Sequence, residues 1–207
     1  VDVVASTDPI APAEILASLD NLLVTGEYGV EASLPGFVLL RRGGVDNRIP
    51  DSFSDFARAP GSDLAGETKI STVRFSSQLA LDGYRLRFLP TLTVFGPILE
   101  LTTFWRADRP QPSDLSFVFY PTRKPDGAIV GAIRDQSPAA IWYPPVDWTP
   151  GEAVAVTVRI ERERDLQAVG VGLIDAQSGA PLLVESPFNA VTWDDGTIAR
   201  VLQLDGG

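Results

Sequence analysis

Arg134, Asp135, Trp142, Tyr143, Asp147 and Trp148 fall within one fifteen-residue stretch, RDQSPAAIWYPPVDW. Aromatic faces beside carboxylates and a guanidinium suit a sugar ring, whose C–H face stacks on a π surface while its hydroxyls pair with charged groups. The same residues have a second reading, in which Trp142 and Trp148 close the open end of a β-sandwich and the prolines shape a long loop. Both readings stand at this point. The six residues are the candidate glycan or ligand site.

Other chemistries are poorly supplied. The chain has no His and no Cys. It therefore has no Ser-His-Asp triad, no thiol nucleophile and no zinc–thiolate site. A glycosidase needs two carboxylates facing each other across a cleft. With 27 Asp and Glu in the chain, pairs such as Asp135 with Asp147, or Glu100 with Glu152, are arbitrary choices. Asp175, Asp194 and Asp195 are loop acids of the kind that hold calcium, but no calcium-loop spacing surrounds them. Lys69 and Lys124 are the only lysines, and neither has an apolar setting. No phosphate-binding glycine loop and no nucleophile elbow occur. No catalytic residue, metal or cofactor is assigned.

The formal net charge of −10 opposes binding to nucleic acid, which rests on phosphate neutralisation, and docking on an anionic lipid surface. No apolar run approaches the roughly 20 residues of a membrane-spanning helix, so no membrane insertion by this chain is expected. Met is absent and the first residue is Val1, which points to a piece of something longer. Arg outnumbers Lys by 15 to 2, as a GC-rich coding bias produces.

The elements that would carry these residues fall into three parts. Residues 1–43 read as a strand–helix–hairpin unit. VDVVAST is a short strand, and Ile15, Leu16, Leu19, Leu22 and Leu23 make one helical face ending at Gly26. EYGVEAS and GFVLLRR, separated by LPG, form a hairpin. Residues 44–68 are polar and rich in Gly, Asp, Ser and Pro, and read as a linker with a helical turn near Phe53 and Phe56. Residues 69–207 are short strands with turn signals between them. Leu99, Leu101, Thr103 and Trp105 share one side; so do Leu115, Phe117 and Phe119; so do Val154, Val156 and Val158. In VGVGLIDAQSGAPLLV, Val169, Val171 and Leu173 alternate toward one face and DAQSGA turns. This period-2 pattern is that of an antiparallel sandwich. The expected fold is mainly β: a sandwich of about seven to nine strands preceded by a small α/β segment. Trp105 belongs to its core, and Trp193 reads as a partly covered loop aromatic.

Four strings, LTTFWRADRPQPSDLSFVF, DGAIVGAIRDQSP, WTPGE and VGVGLIDAQSGAPL, resemble in order the β-sandwich that follows the membrane region in bacterial relatives of the protein mannosyltransferases. Ile174 stands where Tyr is common in that family, and Ser178 where Thr is. LLVTGEYGVEASLPGFVLLRRG is similar to the end of the soluble region of glycosyltransferase-like multi-pass membrane proteins. The resemblance spans about residues 95–185 and implies an extracytoplasmic accessory domain in the cell envelope, with glycan or the membrane portion of the same parent as partner. It implies no catalytic residue in this chain. The rival expectations are a protein-interaction domain of an envelope assembly, and a carboxylate-dependent hydrolase.

Overall fold

The computed structural model describes residues 18–19, 21–35, 37–58, 68–89, 98–123, 129, 131–134, 143–161, 166–185 and 191–204. The chain forms two compact units that divide between Phe56 and Ala57.

In the N-terminal unit, residues 21–24 are helical and the helix ends at Gly26, whose φ of +69° is the left-handed conformation glycine adopts without strain. Leu23 is buried, whereas Leu22 and Val24 are exposed. The hairpin forms as its alternation predicts, from β1 (Tyr28–Leu34) and β2 (Phe37–Arg42), with Leu34 paired to Phe37 across the turn. Residues 44–56 are no free linker. The Val30 amide donates to the Asp46 carbonyl at 2.6 Å, and the 3-10 helix Asp51–Phe56 buries Phe53 edge-on to Phe56. Polar composition suggested a connection, but the chain returns along β1. The strand expected at VDVVAST lies outside the described residues.

The second unit is the β-sandwich. Strands β3 (Thr68–Arg74), β4 (Leu79–Leu89), β5 (Ile98–Ala107) and β8 (Ala153–Glu161) form one sheet in the order β3-β4-β5-β8. The other sheet runs β10-β11-β9-β6-β7, from β6 (Leu115–Thr122), β7 (Ile133–Arg134), β9 (Ala168–Asp175), β10 (Thr192–Trp193) and β11 (Ile198–Gln203). The strand pairings are antiparallel. KISTVRFSSQLAL, which reads as one strand, is broken at Gln78 (φ +61°), whose amide donates to the Phe75 carbonyl. Asp82-Gly83, a turn signal by type, is instead a bulge inside β4.

Alternation places the core as the sequence indicates. Leu99, Leu101, Thr103 and Trp105 of β5 meet Phe117 and Phe119 of β6 and Val169, Val171 and Leu173 of β9, and all are fully buried. Trp105 bridges the sheets, with ring centroids 5.8 Å from Phe75 and 4.9 Å from Phe117. Its indole N–H donates to Thr103 Oγ1 at 2.8 Å, and that hydroxyl donates to the Val156 carbonyl at 3.0 Å. The one polar pair in this layer is therefore satisfied, and burial of each large side chain contributes roughly 1.5–3 kcal/mol. Residues 181–185 link the two sheets: Pro181 bridges Ile174, and Val184 bridges Phe75 while donating its amide to the Gly196 carbonyl.

Candidate functional site

Of the six residues gathered by sequence, four are described, and the fold separates Arg134 from Tyr143, Asp147 and Trp148. Trp148 is 2% exposed, stacks on Phe117 at 6.0 Å and donates its indole N–H to the Tyr143 carbonyl at 2.7 Å. The Tyr143 hydroxyl donates to Glu152 at 2.6 Å, and the Arg58 guanidinium, 2.6 Å from the same carboxylate, lies over the Tyr143 ring. Burial first, and the Glu152 hydrogen bond second, raise the Tyr143 pKa. These two aromatics are thus built into the end of the sandwich and offer no free face to a sugar. Trp148 is a core residue of the second unit. Trp142 and Asp135 lie outside the described residues.

Asp147 ends the short 3-10 helix Pro145–Asp147, and burial raises its pKa. Its charge reaches Asp114, whose pKa is raised by burial first and by the charges of Asp147 and Asp175. Asp175 differs, because its carboxylate accepts from the Ser113 hydroxyl (2.6 Å), the Ser178 amide (2.7 Å) and hydroxyl (2.8 Å) and the Gln177 amide (3.1 Å). These donors lower its pKa to about 2. Asp175 is the organiser of the DAQSGA turn. No group of three metal-ligating side chains forms among the described residues. Glu100 and Glu152 do not face one another as a catalytic pair either, since Glu100 lies between Arg87 and Arg159 and Glu152 accepts from Arg58 and Tyr143.

Arg134 goes elsewhere, to the outer face of the five-stranded sheet. That face is built on two glycines. In β9, Val169, Val171 and Leu173 point inward, so Gly170 and Gly172 face outward. Trp193 and Ile198 rest on Gly170 closely enough that a Cβ added there would lie 2.6 Å from Trp193 Cζ3 and from Ile198 Cγ2. A Cβ on Gly172 would lie 3.2 Å from Tyr120 Cε2. Trp193, with Ala168 and Ile198, forms a small second core against which Tyr120 packs. Trp193 is a strand residue, 8% exposed, and not the loop aromatic its neighbours suggested.

Polar groups surround this platform. Tyr120 pairs with Gly170, Arg134 with Val118 and Arg200 with Gly170, so all three leave the sheet on its outer side. The Tyr120 pKa is raised by burial and by the charge of Asp194, against a lowering influence of Arg134; both charges are felt at the hydroxyl. Asp194 and Asp195 hold φ of +52°, ahead of Gly196 at +84°. Left-handed backbone at two successive Asp residues carries strain, and Thr197, donating to the Asp194 carbonyl at 2.8 Å, holds the turn in place. The Trp193 indole N–H is buried and has no hydrogen-bond partner among the described residues. The arrangement offers the half-buried Tyr120 ring and its phenol, two guanidinium donors and one carboxylate acceptor on one sheet face, with Trp193 itself buried. Sequence reasoning missed Tyr120, Trp193, Asp194 and Arg200 as a group. The signal available was the V-G-V-G alternation, which shows that something bulky lies against the outer side of β9.

Comparison with protein-family models finds no match, and no curated protein matches the sequence.

Proposed function

We propose that this chain is a non-catalytic binding module of the cell envelope, the extracytoplasmic accessory domain of a glycosyltransferase-like membrane protein, and that it contacts glycan through the outer face of its five-stranded sheet. The observation that carries the binding part is the half-buried Tyr120, packed over Gly172 and against the buried Trp193, with Arg134 and Asp194 within electrostatic reach of its hydroxyl. Aromatic edges next to fixed donors and acceptors are what a sugar's mixed apolar and hydroxylated surface requires. The attachment to a membrane parent rests on the four ordered motifs of the sequence. No helix of the described residues is long and apolar enough to cross a membrane.

Two experiments test this reading. Retention of the chain on an oligosaccharide array, lost on Tyr120→Ala with the melting temperature kept, supports the binding part; no retention on any sugar overturns it. An antibody against the chain that detects a large species in the membrane fraction supports the attachment, and a species of about 22 kDa in the soluble fraction sinks it.

A second reading, docking onto a protein, has its own observation. The register of the hairpin, Ala32 opposite Leu39 and Leu34 opposite Phe37, puts these four on one face, and Leu34 and Phe37 are 64% and 59% exposed. Substituting Leu34 and Phe37 by Ser changes the elution volume if that face holds a partner or a second copy.

A further inference from the structure

Eight arginines among the described residues, 41, 42, 48, 58, 74, 87, 106 and 159, lie beside a carboxylate. Arg134 and Arg200 do not pair in this way among the described residues, although the chain carries a net charge of −10. Both stand on the outer face just described, on strands that flank β9 and the β6 strand of Tyr120. Arg134 is on β7, at one edge of the sheet, and Arg200 is on β11, with β9 and β6 between them. Three strand spacings separate them, about 14 Å. The guanidinium is a planar fork that matches a carboxylate or a phosphate with two parallel hydrogen bonds. Between the strands of the two forks the face supplies the Tyr120 phenol, which no protein group among the described residues engages, and the turn after β10 adds the Asp194 carboxylate as acceptor for a hydroxyl.

We infer that the ligand of this face is an anionic oligosaccharide whose acidic groups, carboxylate or phosphate, are held by Arg134 and Arg200, with its sugar rings laid across Tyr120. The inference rests on the glycan reading above and narrows it. With the two arginines on strands three spacings apart, the ligand that matches both forks is an oligomer with acids on separated units. The overall negative charge of the chain repels such a ligand at long range, and recognition therefore depends on direct contact with these two forks.

The test uses the 207-residue chain and three sets of oligosaccharides: uronate-containing, phosphorylated, and neutral. Binding is measured by array and then by calorimetry. The expected result is preference for one of the two acidic sets over the neutral set, with the set bound identifying carboxylate or phosphate as the source. Arg134→Ala and Arg200→Ala should each weaken that binding by at least about tenfold, the worth of a charge-assisted hydrogen bond. Arg134→Lys should restore only part, because a point charge lacks the fork. Both positions are at the surface of the sheet, and unchanged melting temperatures show that the fold is kept. Binding of neutral and acidic sugars alike, with Tyr120→Ala still abolishing it, overturns the inference and leaves the glycan reading standing. Acidic binding that survives both alanine substitutions also overturns it. Binding of none of the three sets overturns both.

Discussion

Gly170→Ala isolates the contact on which the outer face is built. The Cβ it adds would sit 2.6 Å from Trp193 Cζ3 and Ile198 Cγ2 and 2.9 Å from Trp193 Cε3. Ordinary van der Waals contact needs close to 1 Å more on each, so the ring and the isoleucine must lift together. Forcing an extra methyl group into a packed site costs about 1–3 kcal/mol. Replacing glycine also restricts the unfolded chain, which returns about 0.4–1 kcal/mol. The clash wins because both neighbours are themselves buried, and the net loss is roughly 1–2 kcal/mol. For a unit of this size that is a fall in melting temperature of roughly 2–8 °C. Denaturant titration gives the free energy, with Gly131→Ala, which meets nothing within 4 Å, as the control. In a Trp193→Ala background the penalty of Gly170→Ala should fall, since two of its three close contacts are gone. Gly170→Ala melting with the wild type, or a penalty unchanged without Trp193, would refute the seating of the platform on β9.

Trp148→Ala removes a buried ring stacked on Phe117 and should cost about 3–5 kcal/mol in a denaturant titration; a loss under 1 kcal/mol would mean that the ring is outside the core. Tyr143→Phe leaves Glu152 paired with Arg58 but removes its phenolic donor, and should cost about 1–3 kcal/mol. Asp175 contributes stability with a definite sign in pH. Its folded value is lowered from 3.8 to about 2, so its contribution is complete above pH 3.8 and is lost as pH falls through about 2. The stability gap between wild type and Asp175→Asn should therefore be level at neutral pH and close progressively between those values; a gap independent of pH down to 2 would contradict the turn's hydrogen bonds.

The sandwich was largely legible in the sequence because its signal is local. Strands with one face buried must alternate, and Leu99–Trp105, Leu115–Phe119, Val154–Val158 and Val169–Leu173 all do. The break at Gln78 and the bulge at Asp82-Gly83 were not legible, because each is decided by what the neighbouring strand pairs with. The position of Arg134 was not legible for a related reason. Arg134, Tyr143, Asp147 and Trp148 are close in sequence, but strand register sends Arg134 to the outer face of the five-stranded sheet, while Trp148 stays hydrogen-bonded to Tyr143. Trp148 leaves solvent because Phe117, thirty-one residues earlier, supplies a ring to stack on. Tyr120, Arg134, Trp193 and Arg200 come from β6, β7, β10 and β11, and only the pairing of those strands with one another and with β9 brings them to one face.

The central claim is that ligand meets the outer face of the five-stranded sheet and leaves the Tyr143–Trp148 region untouched. The chain has four Trp residues, so four indole N–H signals report on it in a proton–nitrogen correlation spectrum, assigned by single Trp→Phe substitutions. Titration with an oligosaccharide retained on the array should move the Trp193 indole signal and the amides of 118–120, 134, 193–194 and 200, while the Trp105 and Trp148 indoles stay in place. Movement of the Trp148 indole with a stationary Trp193 would contradict the account and return the site to the loop where the sequence first suggested it.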